Sequence, residues 1–193
     1  MSPSVFDSFE QVIAKDRETW RRWLAEHHST APGVWLMVWK KGSGRSSVSP
    51  EDAILEALCF GWIDSKRQPF DADRYRQVFT PRKPKSTWSR INKERVQRLI
   101  RDSSMTDAGL AAIQTAKANG SWHSLDAVEA LSVPEDLAAA LAEDPVALAN
   151  FDFYPPSIKK LALHRIASAK RPETRARRIV EIVRLAAANG RPL

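Results

Sequence analysis

Apolar residues near the start of the chain recur with the period of a helix. Trp20, Trp23, Leu24 and His27 follow one another at the i, i+3, i+4 and i+7 spacing, which predicts a helix with one buried face. Asp16 precedes this stretch, and its short carboxylate side chain is suited to capping a first helical turn. We therefore expect the first helix to begin after Asp16.

Two further elements have clear boundaries in the pattern. Residues 34–39 (VWLMVW) are six consecutive apolar, β-prone residues, which predicts a strand covered on both faces. In the helix predicted next, Ser49 is the N-cap, Pro50 takes the first helical position, and Gly61 marks the end.

A hairpin is predicted after this helix. Residues 62–68 and 75–80 have strand-like patterns, and the Asp-Ala-Asp sequence at 71–73 supplies turn chemistry between them. Polar positions on both strands indicate that one side of the hairpin faces water.

The remainder of the sequence predicts helices. One is expected to open at Ser86 or Thr87, another to cover residues 106–119, and only short helices to follow from about Ser132. The first of these helices should bury a face made of Trp88, Ile91, Arg95 and Leu99. Each short helix of the tail has a proline near its expected first turn, where proline is tolerated: Pro134, Pro145, Pro156 and Pro172.

The predicted fold class is therefore α+β. We expect a small mixed or antiparallel sheet of three to four strands packed with helices, followed by a compact all-helical C-terminal region. The predicted domains are an α+β domain over residues 1–125 with a Trp-rich sheet, and a helical region over 126–193 packed on it.

Composition restricts the class of protein and the compartment. The chain has 193 residues, of which 43% are hydrophobic and 27% charged, a balance typical of a globular protein with a packed core. Its one cysteine, Cys59, excludes an internal disulfide and fits a reducing compartment. No apolar run approaches the roughly 18 residues of a membrane span, and no signal-peptide pattern is visible. We expect a soluble, cytoplasmic protein.

Charge is distributed in blocks along the chain, which has a net charge of +7. Residues 66–101 carry a net +9 and residues 155–193 a net +8, while the intervening 102–154 carry a net −8. The basic blocks fit either an anionic partner such as nucleic acid, or neutralisation by the acidic block inside the molecule. The second interpretation is favoured, because a protein dedicated to nucleic-acid binding would gain nothing from an acidic block.

The tryptophans provide the candidate ligand site. Trp35 and Trp39 are four positions apart in the predicted strand and project from the same face. Convergent aromatic and polar side chains are the usual form of a ligand pocket. The alternative is that the rings fill the seam between the two halves, with Asp64 and Arg82 paired beneath them. The candidate ligand-binding residues are Trp35, Trp39, Lys40, Lys41, Trp62, Asp64, Arg82, Ser86, Trp88 and Asn92.

The basic loop over residues 40–47 lies between a strand and a helix N-terminus, where phosphate sites are often built. It matches neither a Walker A loop nor a GxGxxG fingerprint. The helix that it leads into begins with Glu51 and Asp52, whose charges would oppose a phosphate. A flexible, solvated loop is therefore favoured over an anion site.

No catalytic residue, metal site or cofactor is predicted. Cys59 belongs to an apolar helical stripe and is expected in the core. His27 and His28 are neighbours on a helix and point in different directions, so they cannot jointly hold a metal.

Four motifs in order along the chain resemble the YdeI/OmpD-associated (OmdA) bacteriocin-protection family. They are WLMVWKKGSG, EALCFGWIDS, FTPRKPKSTWS with Asn92 after it, and PPSIKK…ASAKRPETRARRI. The part of the chain that is similar to the family-defining tail runs from Leu137 to about Ile182. The resemblance implies a role in resistance to bacteriocins, cationic antimicrobial peptides and related stress, with no agreed catalytic mechanism.

The leading functional hypothesis is accordingly a non-catalytic cytoplasmic binding protein of the stress-protection kind, with a small molecule or a protein as partner. Two alternatives remain. One is non-specific nucleic-acid binding through residues 66–101 and 155–193; the other is a small-molecule enzyme that uses the Trp-lined pocket with Asp64 and Asn92. The net charge of +7 gives the protein no direct attraction for a cationic peptide.

Overall fold

A computed structural model describes residues 5–190 of the chain. The chain divides into two compact units. The first contains residues up to Ser86 together with Ile91–Trp122, and the second contains Thr87–Arg90 together with residues from His123 onward. The predicted α+β class is confirmed, since a four-stranded mixed sheet with helices is followed by helices alone.

The sheet lies in the first unit. Its strands are β1 (Glu10–Ile13), β2 (Val34–Trp39), β3 (Trp62–Pro69) and β4 (Arg74–Pro81), in the spatial order β1-β2-β4-β3. β1 runs parallel to β2, and the other neighbours are antiparallel. β2 is an interior strand with five of its six residues buried, as its apolar pattern predicts.

One face of the sheet, here called the helix face, packs against α1 (Arg17–His27) and α2 (Pro50–Cys59). The Trp20 ring from α1 lies 5.3 Å from Phe79 of β4, and Trp23 contacts Trp62 edge-on. The indole N–H of Trp20 donates to the Ala53 carbonyl at 3.0 Å and so ties the two helices together.

Both helices begin where their sequences predict. Asp16 accepts a hydrogen bond from the Thr19 N–H at 2.8 Å, and Ser49 accepts one from the Asp52 N–H at 3.0 Å. Each cap satisfies a backbone donor that the first helical turn leaves without an internal partner. Pro50 occupies the first turn of α2, where its missing N–H costs no hydrogen bond.

The opposite face of the sheet, here called the arginine face, carries aromatic and basic side chains. Strand pairing places these residues on it: Trp35, Met37, Trp39, Arg74 and Arg76. Phe6 and Phe9, which precede β1, contact each other and pack over Trp35.

Two helices complete the first unit: α3 (Arg90–Arg101) and α4 (Asp107–Ala118). Arg90, the first residue of α3, groups with the second unit. The predicted start of α3 at Ser86 or Thr87 is wrong, because residues 83–86 form a turn in which the Ser86 N–H donates to the Lys83 carbonyl. Trp88 consequently precedes the helix, and Ile91 is 55% exposed instead of buried.

The second unit is helical, as predicted for the tail. Its five helices after residue 123 are α5 (Asp126–Glu129), α6 (Glu135–Ala142), α7 (Pro145–Phe153), α8 (Pro156–Ala167) and α9 (Pro172–Ala187). Leu137, Leu141, Phe151, Ile166 and Ile182 lie at the centre of its core. α7, α8 and α9 each have a proline in the first turn. None of the helices within residues 5–190 combines the length and the apolar character needed to cross a bilayer.

Ion pairs join the acidic and basic segments of the second unit. Lys160 of α8 pairs with Glu129 at 2.6 Å, and Arg175 of α9 pairs with Asp136 at 2.6 Å. Part of the charge of the basic tail is thereby neutralised inside this unit.

The Lys160–Glu129 pair predicts a pH dependence. The hydrogen bond from Lys160 holds the pKa of Glu129 below its ordinary 4.5. Because the folded-state pKa is the lower one, the stabilisation is present above pH 4.5 and is lost as the pH falls through the folded-state pKa. Replacing Glu129 by Gln is therefore expected to lower the Tm at pH 7, with a difference that shrinks steadily below pH 4.5.

The measurement is thermal unfolding of both proteins between pH 7 and pH 3. Glu135→Gln, at an exposed carboxylate on α6, is the matched control and should change the Tm little at any pH. A difference between Glu129→Gln and the wild type that stays constant across the range would contradict the assignment.

Candidate functional site

The structure divides the predicted tryptophan site between two faces of the sheet. Trp35 and Trp39 belong to the arginine face, whereas Trp62 and Asp64 belong to the helix face. The single concavity predicted from the sequence is therefore not formed. The reason is strand pairing, because only the register of β2, β4 and β3 decides which side chains share a face.

Asp64 and Gln77 form a polar cluster at the helix face. The Gln77 side-chain amide donates to the Asp64 carboxylate at 2.7 Å. Burial lowers the pKa of the Arg82 guanidinium to about 10, opposed by the attraction of the Asp64 carboxylate.

The remaining predicted residues lie apart from this cluster. Ser86 closes the turn before α3, and Trp88 is buried in a segment that groups with the second unit. Asn92 accepts a hydrogen bond at 2.9 Å from Arg95, which also pairs with Glu51.

A large cavity lies where β2 ends and α2 begins. It has a volume of about 980 Å³ and is called here the loop pocket. Trp39, Lys40 and Lys41 of the predicted site contribute to it, as does the rest of the basic loop. Its lining is completed by Val38, Gly42, Gly44, Arg45, Ser46, Ser47, Val48, Ser49, Pro50, Arg67 and Tyr75.

Backbone geometry and hydrogen bonds shape the loop around this pocket. Gly42 and Gly44 both have positive φ, at 95° and 72°, a conformation that residues with a Cβ rarely adopt. The Trp39 N–H donates to the Ser47 side chain at 3.1 Å, and the Lys40 ammonium donates to the Ala72 carbonyl at 2.8 Å. These contacts tie both ends of the loop to neighbouring elements.

The charged side chains that line the loop pocket are all of one sign. Among the residues that the structure describes, four cationic ones line it (Lys40, Lys41, Arg45 and Arg67) and no acidic one does. The Arg67 guanidinium lies 3.7 Å from the centre of the Tyr75 ring, and Arg45 lies 4.7 Å from that of Trp39. The rings thus position the guanidinium groups without neutralising them.

Tyr75 adds a polar group to the wall. Its hydroxyl oxygen is buried and has no hydrogen-bond partner among the described residues. Burial raises the pKa of this phenol, while the nearby Arg67 acts in the opposite direction. The hydroxyl group therefore remains protonated at neutral pH.

The acidic start of α2, which argues against an anion site in the sequence, is neutralised in the structure. Glu51 pairs with Arg95, and Asp52 accepts a hydrogen bond from the Ser49 hydroxyl and lies 3.4 Å from Arg17. Neither carboxylate lines the pocket. The predicted repulsion of an anion at this helix start is thus largely removed.

Two family models match the chain in separate segments. A family model described as a domain of unknown function (DUF8412) matches residues 12–112, just over half of the sequence. The chain belongs to the DUF8412 family. A second model, described as bacteriocin-protection, YdeI or OmpD-associated (OmdA), matches residues 130–189 and confirms the suspected resemblance. No curated protein and no solved structure matches the chain.

The two matches fall on different units. The DUF8412 segment contains the end of β1, the other three strands of the sheet, the loop pocket, α1 to α3 and the first half of α4. The OmdA segment begins after α5 and contains α6, α7, α8 and α9 of the second unit. The candidate site therefore belongs to the DUF8412 segment.

Sequence reasoning missed Arg67 and Tyr75 of this DUF8412 protein. A β-bulge in β3 between Asp64 and Arg67 shifts the register, so that Arg67 lies opposite Gln77. Nothing in the sequence locates a bulge in an exposed polar strand. The alternation of side chains along β4 does predict that Tyr75 shares a face with Gln77. It does not predict that Tyr75 lies beside the basic loop.

Neither metal binding nor thiol chemistry has a site among residues 5–190 of the DUF8412 protein. Among residues 5–190, no group of three histidine, cysteine or acidic side chains is arranged to hold a metal ion. Cys59 is fully buried, and burial raises the pKa of its thiol, so it is not a reactive nucleophile.

Proposed function

We propose that the protein is a non-catalytic, cytoplasmic binding protein of the protection type named in the OmdA description, and that it binds a small anionic molecule in the loop pocket. The observation that carries the proposal is the lining of that pocket, with four cationic residues and no acidic one. A cleft with one sign of charge focuses the field and concentrates ligands of the opposite sign.

Size and chemistry of the pocket support a small molecule. Its volume of about 980 Å³ lies at the upper end of the range of about 300–1,000 Å³ for small-molecule sites. Val38, Trp39 and Val48 provide apolar surface for the body of a ligand, and the Tyr75 ring, which lies against Arg67, provides an aromatic one. The best ligand therefore combines an anionic group with an apolar or planar body.

The same charges argue against direct capture of a cationic peptide in this pocket. Protection would then depend on sensing or sequestering an anionic small molecule rather than on holding the antimicrobial peptide itself. A thermal-shift panel at one salt concentration distinguishes these routes by comparing nucleotides and sugar phosphates with neutral sugars, amino acids and a cationic peptide. A ligand at 100 times its Kd stabilises by about 2.7 kcal/mol, a shift of roughly 5–10 °C.

Arg67→Ala is expected to weaken binding of an anionic hit about ten-fold, because it removes a charge-assisted contact. The Kd is measured by isothermal titration calorimetry on the wild-type and variant chains. The matched control is Lys66→Ala, which removes one charge from the neighbouring, exposed position outside the pocket and should leave the Kd unchanged. Equal losses in both variants, or equal binding of a neutral analogue, would contradict the proposal.

A further inference from the structure

A continuous stack of guanidinium groups and aromatic rings lies at the arginine face and the tip of the β3–β4 hairpin. Arg74 is 5.0 Å from the Trp39 ring and 4.9 Å from the Phe70 ring. Arg76 is 5.6 Å from the Phe70 ring and 4.2 Å from the Trp35 ring. We call this set the arginine–aromatic ladder, and its members in spatial order are Arg45, Trp39, Arg74, Phe70, Arg76 and Trp35.

The charge of the ladder is incompletely neutralised. Arg74 pairs with Asp71, but neither Arg45 nor Arg76 has a carboxylate partner among residues 5–190. The Nε of Arg76 is buried without a hydrogen-bond acceptor in the described part of the chain. Aromatic rings, not carboxylates, therefore fix the positions of the Arg45 and Arg76 guanidinium groups, whose charge no carboxylate of the described residues neutralises.

The ladder also offers surface for stacking. Phe70 at the hairpin tip is 42% exposed, and Arg45 is exposed at the other end. Trp39 is half-buried between them, whereas Trp35 is only 2% exposed beneath Phe6 and belongs to the packing of the sheet. The accessible part of the ladder, from Arg45 to Phe70, provides the planes on which bases can stack.

We propose that the arginine–aromatic ladder binds single-stranded nucleic acid. Bases stack on aromatic rings and on guanidinium planes, and the guanidinium N–H groups donate to the phosphates between them. A duplex is a poor fit, because its bases are already stacked on one another and leave only phosphates to contact. A polyanion without rings satisfies the charges but leaves the exposed face of Phe70 unused.

This proposal does not depend on the ligand of the loop pocket. The two sites share Trp39 and Arg45, so these residues are avoided in the test. Phe70 and Arg76 belong to the ladder alone, whereas Arg67 belongs to the pocket alone. Arg67→Ala is expected to leave oligonucleotide binding unchanged, which separates failure of one proposal from failure of the other.

The experiment is fluorescence anisotropy of the full chain with a labelled 12-nucleotide single strand, as RNA and as DNA, at fixed low salt. Phe70→Ala and Arg76→Ala are each expected to weaken binding about ten-fold. Phe153→Ala removes another exposed phenylalanine, and Arg98→Ala removes another exposed arginine; both are matched controls and should bind as the wild type does.

Salt dependence distinguishes the two ladder residues. On a single strand, each phosphate contact contributes about −0.7 to the slope of log K against log salt concentration. Arg76→Ala should reduce the steepness of that slope by about 0.7, whereas Phe70→Ala should lower affinity at an unchanged slope. Thermal unfolding of each variant verifies that the protein is folded.

Three results would overturn the proposal. They are equal losses in Arg98→Ala and Arg76→Ala, wild-type affinity in a folded Phe70→Ala variant, and binding of polyphosphate or duplex DNA as tight as binding of the single strand. Each would mean that the ladder only packs within the sheet, or that it attracts any polyanion through its charge alone.

Discussion

Glu56→Gln is expected to lower the free energy of unfolding by about 2–4 kcal/mol. The Glu56 side chain is only 2% exposed, and its two carboxylate oxygens accept hydrogen bonds from Arg17 and Arg21, each at 2.5 Å. An amide keeps the shape but presents an NH₂ group to one of these guanidinium donors. The variant therefore loses charge-assisted hydrogen bonds and places two donors against each other in a buried site.

Urea unfolding measures this loss. The urea concentration at the midpoint of unfolding should fall, while the slope of the free energy of unfolding against urea concentration should stay unchanged. Glu18→Gln is the matched control, since Glu18 pairs with Arg22 on the surface of α1, the helix that carries Arg17 and Arg21, with both side chains largely exposed. Exposed pairs of this kind contribute about 0.3–0.5 kcal/mol. If both substitutions lower the free energy of unfolding by the same amount, the buried contacts of Glu56 with Arg17 and Arg21 are not a determinant of stability.

Gly109→Ala is expected to destabilise the protein by about 2–3 kcal/mol, although alanine is the better helix former. A Cβ at Gly109 would lie 2.3 Å from the carbonyl oxygen of Cys59, at the end of α2. The same carbonyl accepts hydrogen bonds from the Thr106 backbone N–H at 3.1 Å and hydroxyl at 2.6 Å. Relieving the clash requires α4 to move away and lengthens both bonds.

Ala111→Gly on the exposed side of α4 is the companion variant. It measures the propensity difference between glycine and alanine, which should be about 0.5–1 kcal/mol in favour of alanine. Adding this term to the destabilisation measured for Gly109→Ala gives the cost of the close contact between α2 and α4. A Gly109→Ala protein as stable as the wild type would show that the two helices separate at no cost.

Local signals in the sequence predicted much of the fold. The caps at Asp16 and Ser49, the apolar run of β2 and the turn at residues 71–73 each act within a few residues, so a single stretch of sequence contains the whole signal. The α+β class follows from these elements together with the helical tail.

Features that depend on distant residues were not predictable in the same way. β1 is a four-residue strand with three exposed residues, and only its pairing with β2, more than 20 residues away, makes it a strand. The faces of Trp35 and Trp62 depend on the same non-local pairing. The loop pocket joins a visible basic loop to Arg67 and Tyr75, which no spacing in the sequence connects to it.

The bulge in β3 determines which way the outer half of the strand faces. Ser65 and Lys66 together face Val78, so one residue more than a regular ladder requires lies between Asp64 and Arg67. Three positions separate Asp64 from Arg67, and strict alternation would place them on opposite faces; the extra residue brings both to the same face. Loss of Ser65 or Lys66 would leave a regular ladder with Arg67 still opposite Gln77, so a related sequence that is one residue shorter between Trp62 and Pro69 keeps its arginine at the loop pocket.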